Sequence, residues 1–143
     1  MTDTPAARLD ASAVQAILDR SPFMAFLGLT VVSLDHAKAE IVMRMPLRPE
    51  IERRPGTAQF HGGPIAAFID VVGDFAIGMA VGGGVPTINL RIDYVRPAVG
   101  AALVGTARVR RQGRTVALVD IDVTDVEGRL VAVGRGTYVP QPG

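Results

Sequence analysis

Residues 64–81 are almost wholly apolar, from Pro64 through Ile65, Phe68, Val72, Phe75 and Met79 to Val81, with only Asp70 and Asp74 to interrupt them. Pro64 suits the first turn of a helix, where its missing N–H leaves no gap, and Gly82-Gly83-Gly84 stops the run. A helix that is apolar on every side has to be buried, so the rest of the chain must supply a surface that surrounds it. The length would also suit a membrane span, but two aspartates and a glycine-rich flank argue against one.

The surrounding sequence has the period of strands. Ile88, Leu90, Ile92 and Tyr94 alternate with Asn89, Arg91 and Asp93. Residues 103–111 and 114–124 flank a two-residue Gln112-Gly113 turn, and residues 130–139 follow a turn at Glu127-Gly128. Upstream, residues 11–19 predict a short amphipathic helix and 22–27 a tight apolar connection. Two strands follow, at 29–34 and 37–45, joined at Asp35-His36, and then an exposed loop at 46–56. Two strands, one buried helix and a meander of four strands predict a single α+β domain over residues 1–143. An antiparallel sheet would bury one face on the helix, and residues 1–10 would be disordered.

Composition narrows the function classes. The 143 residues include no Cys, which excludes thiol nucleophiles, thiolate zinc sites and disulfides. Two His give no zinc spacing, and a net charge of +1 gives no basic excess for nucleic acid. The polar first ten residues lack the pattern of a secretory leader, so a cytoplasmic protein that binds neither nucleic acid nor membrane is expected.

Ahead of the helix stands Phe60-His61-Gly62-Gly63. A Gly-Gly step that opens a helix exposes backbone N–H groups at the positive end of the helix dipole, where a developing oxyanion is stabilised. Asp70 and Asp74 are four residues apart and share one helix face. Burial and a like-charged neighbour both raise a carboxyl pKa, the profile of a catalytic base or nucleophile; a structural role, paired with an Arg or a backbone donor of a partner element, is the alternative. Gly62 and Asp70 are separated by roughly 12 Å along a helix, so both cannot touch one small carbonyl. If both act on one substrate, the second must come from another copy of the chain in a symmetric dimer.

These residues, together with Pro86-Thr87-Ile88-Asn89-Leu90, Tyr94-Val95-Arg96-Pro97, Gln112-Gly113-Arg114 and Gly128-Arg129-Leu130-Val131-Ala132, resemble the hotdog-fold acyl-CoA thioesterases of the PaaI-like, phenylacetate-pathway type. The resemblance runs from about residue 25 to 139. It implies hydrolysis of an acyl-CoA thioester to a carboxylic acid and free coenzyme A by a homodimer or homotetramer. No metal or redox cofactor is implied, coenzyme A being part of the substrate. It further implies Asp70 as nucleophile or general base, and the Gly62 N–H, with Gly63 beside it, polarising the carbonyl from the partner subunit. Thr87 would orient water, and His61 would shape the loop or act in the site. Arg111 and Arg114 would grip the coenzyme phosphates, with Tyr94 and Asn89 nearby and Arg96 and Arg135 as further candidates. Phe60, Phe68, Met24 and the loop around Arg53 would shape the acyl pocket. Where the family often has Asn or Gln six positions before the His, this chain has Pro55, with Gln59 close by. His36, in a turn, is expected to be exposed. A hotdog dehydratase or hydratase and a non-catalytic acyl-CoA binding protein are the rival readings.

Overall fold

The computed structural model describes residues 6–143. Its elements follow in the order α1 (Ala11–Arg20), α2 (Pro22–Leu27), β1 (Thr30–Asp35), β2 (Glu40–Pro46), a 3₁₀ turn (Pro49–Ile51), α3 (Gly62–Val81), β3 (Thr87–Tyr94), β4 (Ala102–Gln112), β5 (Ala117–Asp125) and β6 (Leu130–Tyr138). The expected α+β arrangement is present: one antiparallel sheet of six strands packs its inner face on α3. Ile65, Phe68, Ile69, Val72, Phe75 and Met79 of the helix meet Ile41, Met43, Leu103, Val119 and Ile121 of the sheet in one core.

The four later strands are not the meander expected. The sheet order is β1-β2-β4-β5-β6-β3, so β3 pairs with β6 at one edge and the chain crosses back to place β4 against β2. Residues 95–101 make that crossing past the loop ahead of α3, where Phe60 N–H donates to the Ala98 carbonyl. Neighbouring strands in sequence usually pair, but here the loop ahead of α3 offers the crossing segment a partner.

Local departures have local causes. Residues 22–27 form a helix rather than a plain connection, with Pro22 in the first turn and Gly28 ending it at φ 67°. The β4–β5 connection spans residues 113–116 instead of two residues, because Gly113 N–H donates to the Val116 carbonyl; Arg114 therefore sits in the turn and not on β5. His36 is half-buried rather than exposed, its Nε2 donating to the Leu9 carbonyl at 2.9 Å. Of the expected disordered start, residues 1–5 lie outside the described residues. Leu9 N–H bonds the Met79 carbonyl, and Asp10 caps α1 by accepting from Ala13 N–H at 2.8 Å.

Close approach of helix and sheet depends on glycine at Gly73. A Cβ there would lie 2.2 Å from the Tyr138 hydroxyl oxygen, so only glycine lets Tyr138 of β6 reach under α3.

Candidate active site

Asp70 projects from the middle of α3 towards the first residue of β3. Thr87 Oγ1 donates to Asp70 Oδ1 at 2.8 Å, leaving Oδ2 without a partner among the described residues. Thr87 faces the helix because of a bulge. Thr87 pairs with Tyr138 and Asn89 with Thr137, so Ile88 is an extra residue in β3. Without it, Thr87 and Asn89 would share a face; with it, Thr87 turns inward while Asn89 joins Arg91 and Asp93 on the side away from Leu90 and the core. Asn89, expected near the coenzyme, is thus on the opposite face of the strand from Asp70. From β6, the Tyr138 hydroxyl donates to the Asp70 backbone carbonyl at 3.3 Å and braces the helix at this residue.

Asp74 lies one turn further along the same face. Its Oδ1 accepts from Val85 N–H at 2.7 Å. Burial raises its pKa from 3.8 to about 7, against the lowering effect of the Val85 bond and with a further increase from the Asp70 charge. Because the folded chain holds this proton more tightly than the unfolded chain, stability falls as pH rises from about 4 to about 7 and levels off above. The difference amounts to at most about 4 kcal/mol. Asp74→Asn should flatten that slope, which urea unfolding at pH 5 and pH 8 measures; an equal slope in both proteins would refute it.

At the other end of the face, His61 is the N-cap of α3. Its Nδ1 accepts from Gly63 N–H at 2.9 Å, which makes His61 a capping residue and occupies the Gly63 donor. Pro64 has no N–H. Of the first three positions of the helix, only Gly62 keeps a donor without a partner among the described residues. The Tyr94 hydroxyl donates to the Gly62 carbonyl at 2.7 Å, a contact across 32 residues that no local pattern announces. Tyr94 and Gly62 border a cleft of about 380 Å³, lined also by Arg53, Gln59, Phe60, Ile65 and Arg96. Gln59, the neighbour of the unusual Pro55, therefore faces the free donor's cleft. Phe60 lines it too, but Phe68 is packed in the core beneath Gly105 and Met24 packs at the core's margin.

The candidate cations divide. Arg135 is held by Asp120 through bonds of 2.6 and 2.9 Å on the outer face of the sheet. Arg53, Arg96, Arg111 and Arg114 make no ion pair among the described residues. Gln112, Ala117, Tyr138 and Thr87 form one row across β4, β5, β6 and β3. Arg111 thus lies at the Thr87 end of the sheet, about 14 Å away across three strand spacings. Among the described residues, no three His, Asp or Glu side chains converge on a metal-sized site.

Comparison with known proteins agrees with this fold. Residues 59–132 match the thioesterase superfamily. Human acyl-coenzyme A thioesterase 13 is 32% identical over 129 residues, 87% of this chain and 89% of its own. The structure of zebrafish thioesterase superfamily member 2 superimposes with a TM-score of 0.79 at 28% identity, over 92% of this chain and 98% of that one. That of the Escherichia coli PaaI protein from the phenylacetic acid degradation operon does so with 0.76 at 25%, over 90% of each. A long apolar helix wrapped by a six-stranded antiparallel sheet, and a match covering half the chain, place it: this chain belongs to the thioesterase superfamily and has the hotdog fold.

Proposed function

We propose that the protein hydrolyses acyl-CoA thioesters to a carboxylic acid and free coenzyme A. The observation that carries this reading is the Thr87–Asp70 hydrogen bond, which holds a carboxylate with one oxygen fixed and the other free. Either that oxygen attacks the thioester carbon directly or it takes a proton from an attacking water. In both routes the carbonyl oxygen gains negative charge, the C–S bond breaks and the thiolate leaves to be protonated; in the direct route the acyl group is left on Asp70 as an anhydride, which a water then hydrolyses to the carboxylic acid and the free carboxylate. The Gly62 N–H, at the positive end of a 20-residue helix, suits the developing oxyanion.

Gly62 and Asp70 of one helix are roughly 12 Å apart, so the site draws them from two subunits. The sheet has one edge fitted for this. At β1 the edge is engaged by α1, Gln15 Oε1 accepting from Val31 N–H and Nε2 donating to the Leu29 carbonyl. Among the described residues β3 has no such cover, and it carries exposed Ile88 and Tyr94. Two copies joined along β3 would bring each Asp70 towards the partner's helix start.

Thiol release from a panel of acetyl-, medium-chain, long-chain, phenylacetyl- and hydroxybenzoyl-CoA tests the activity. The size of the cleft and its Phe60 and Tyr94 walls favour aryl or medium-chain esters. Ligand binding without thiol release across the whole panel would make the chain a binding protein, and enoyl absorbance without thiol release from an added β-hydroxyacyl-CoA would make it a dehydratase.

Arg111→Ala and Arg114→Ala should each raise KM for coenzyme A esters by about two- to fivefold with kcat little changed, the effect of surface charges that grip phosphate equally in ground and transition states. The effect should shrink as salt is raised. Two variants with wild-type KM at low salt would move the phosphates to Arg53 and Arg96.

A further inference from the structure

We propose that Asp74 is a positioning residue for the hydrolytic site, its carboxylate pinning the backbone at Val85 so that Thr87 is held against Asp70. The inference rests on the reading that Asp70 carries the chemistry.

The segment it pins is otherwise held by backbone hydrogen bonds and by the buried Val85 side chain, none of which bonds it to the Asp70 face of the helix. Gly82, Gly83 and Gly84 separate α3 from β3, and three glycines in succession leave the backbone the widest conformational choice of any residues. Gly82 and Gly83 N–H both bond Gly78 at the helix end, while Gly84 and Pro86 offer carbonyls to the tail of the chain. Asp74 supplies the side-chain tether between this segment and the helix, at 2.7 Å. Gly84 passes close over the same carboxyl, since a Cβ there would lie 3.6 and 3.7 Å from its two oxygens.

The spacing of the two tethers is matched. As the helix climbs from Asp70 to Asp74, the chain opposite runs back from Thr87 to Val85. Four helical residues rise about 6 Å and two extended residues span about 6.6 Å. One helix face therefore bonds the strand start twice: Asp70 takes the Thr87 hydroxyl and Asp74 the Val85 N–H. Freeing Val85 releases the backbone two residues before a hydroxyl that must stay within hydrogen-bonding range of Asp70. The groups that face Asp74 are Asp70 on its own helix, Val85 N–H, and the Tyr138 hydroxyl from β6, whose ionisation is opposed by burial first and by both aspartates next.

A double-mutant cycle tests the role, with kcat for thiol release as readout. Asp74→Ala should lower kcat about tenfold with KM within about threefold, and Thr87→Val should cost a similar factor. The double variant should lose no more than about threefold beyond Thr87→Val, because both changes break the same arrangement. Asp74→Asn, which keeps an acceptor for Val85 N–H, should recover most of the loss. Losses that multiply, or an Asp74→Ala enzyme with wild-type kcat, would overturn the proposal. Should the Ala variant fail to fold, Asp74→Ser, whose hydroxyl is too short to reach Val85, takes its place in the cycle. Asp70→Asn in the same assay separates the two readings: if it is active, the role of Asp70 fails, and if it is inactive while the losses multiply, only the role of Asp74 fails.

Discussion

Asp70→Asn should lower kcat for thioester hydrolysis by about 10²- to 10⁴-fold, the usual worth of a nucleophile or general base. The amide has the shape of the carboxylate and can still accept from Thr87 Oγ1, so the site should keep its form and bind substrate as before. What it loses is the ability to take a proton or to attack a carbonyl carbon. Loss of turnover with unchanged binding, by single-turnover kinetics and equilibrium titration with a slow ester, is the signature of a group that acts on the transition state alone. Retained turnover would transfer the chemistry to Asp74 or His61, the remaining titratable groups on this face and its cap.

The second large effect concerns a backbone atom. Gly62→Pro should lower kcat about 10²- to 10³-fold, the usual consequence of deleting an oxyanion donor, with little change in stability. Proline is tolerated at the first position of a helix. The residue before it must be extended, and His61 already is, at φ −67° and ψ 146°. No internal hydrogen bond of the described residues is lost, since Gly62 N–H makes none. Gly62→Ala, which keeps the N–H and places a Cβ in ordinary contact with Tyr94 at 3.5 Å, should lose far less. If the two variants fall equally, the space at Gly62 matters and its donor does not.

Together the two inactive variants test whether the site is shared. A heterodimer of Asp70→Asn and Gly62→Pro chains has one site carrying both lesions and one carrying neither, provided that each site takes Asp70 from one chain and Gly62 from the other. Random pairing makes half the dimers mixed, so re-mixing unfolded chains should restore about 25% of wild-type activity. A site built within one chain would restore none.

Much of this protein is legible along the chain because its causes are local. An apolar run bounded by proline and glycine dictates a buried helix, strict alternation dictates strands that can cover it, and a Gly-Gly step after His61 dictates a helix start that meets anions. Asp70 stands out for the same reason: a carboxylate inside an apolar helix is costly unless something uses it. The partners of these groups were decided by pairing over long separations. Strand order placed β3 at the edge, and the Ile88 bulge turned Thr87 inward. Gly73 let Tyr138 reach the helix, and the His61 ring took the Gly63 donor, leaving Gly62 without a partner among the described residues. A period of two locates a strand's faces but cannot count an extra residue in its register, since that count is settled only when β3 meets β6. Local pattern settles a wrapped helix bearing a carboxylate and an anion-receptive start; which oxygen, which N–H and which strand edge stay unpartnered among the described residues is settled by pairing, through contacts up to 68 residues apart.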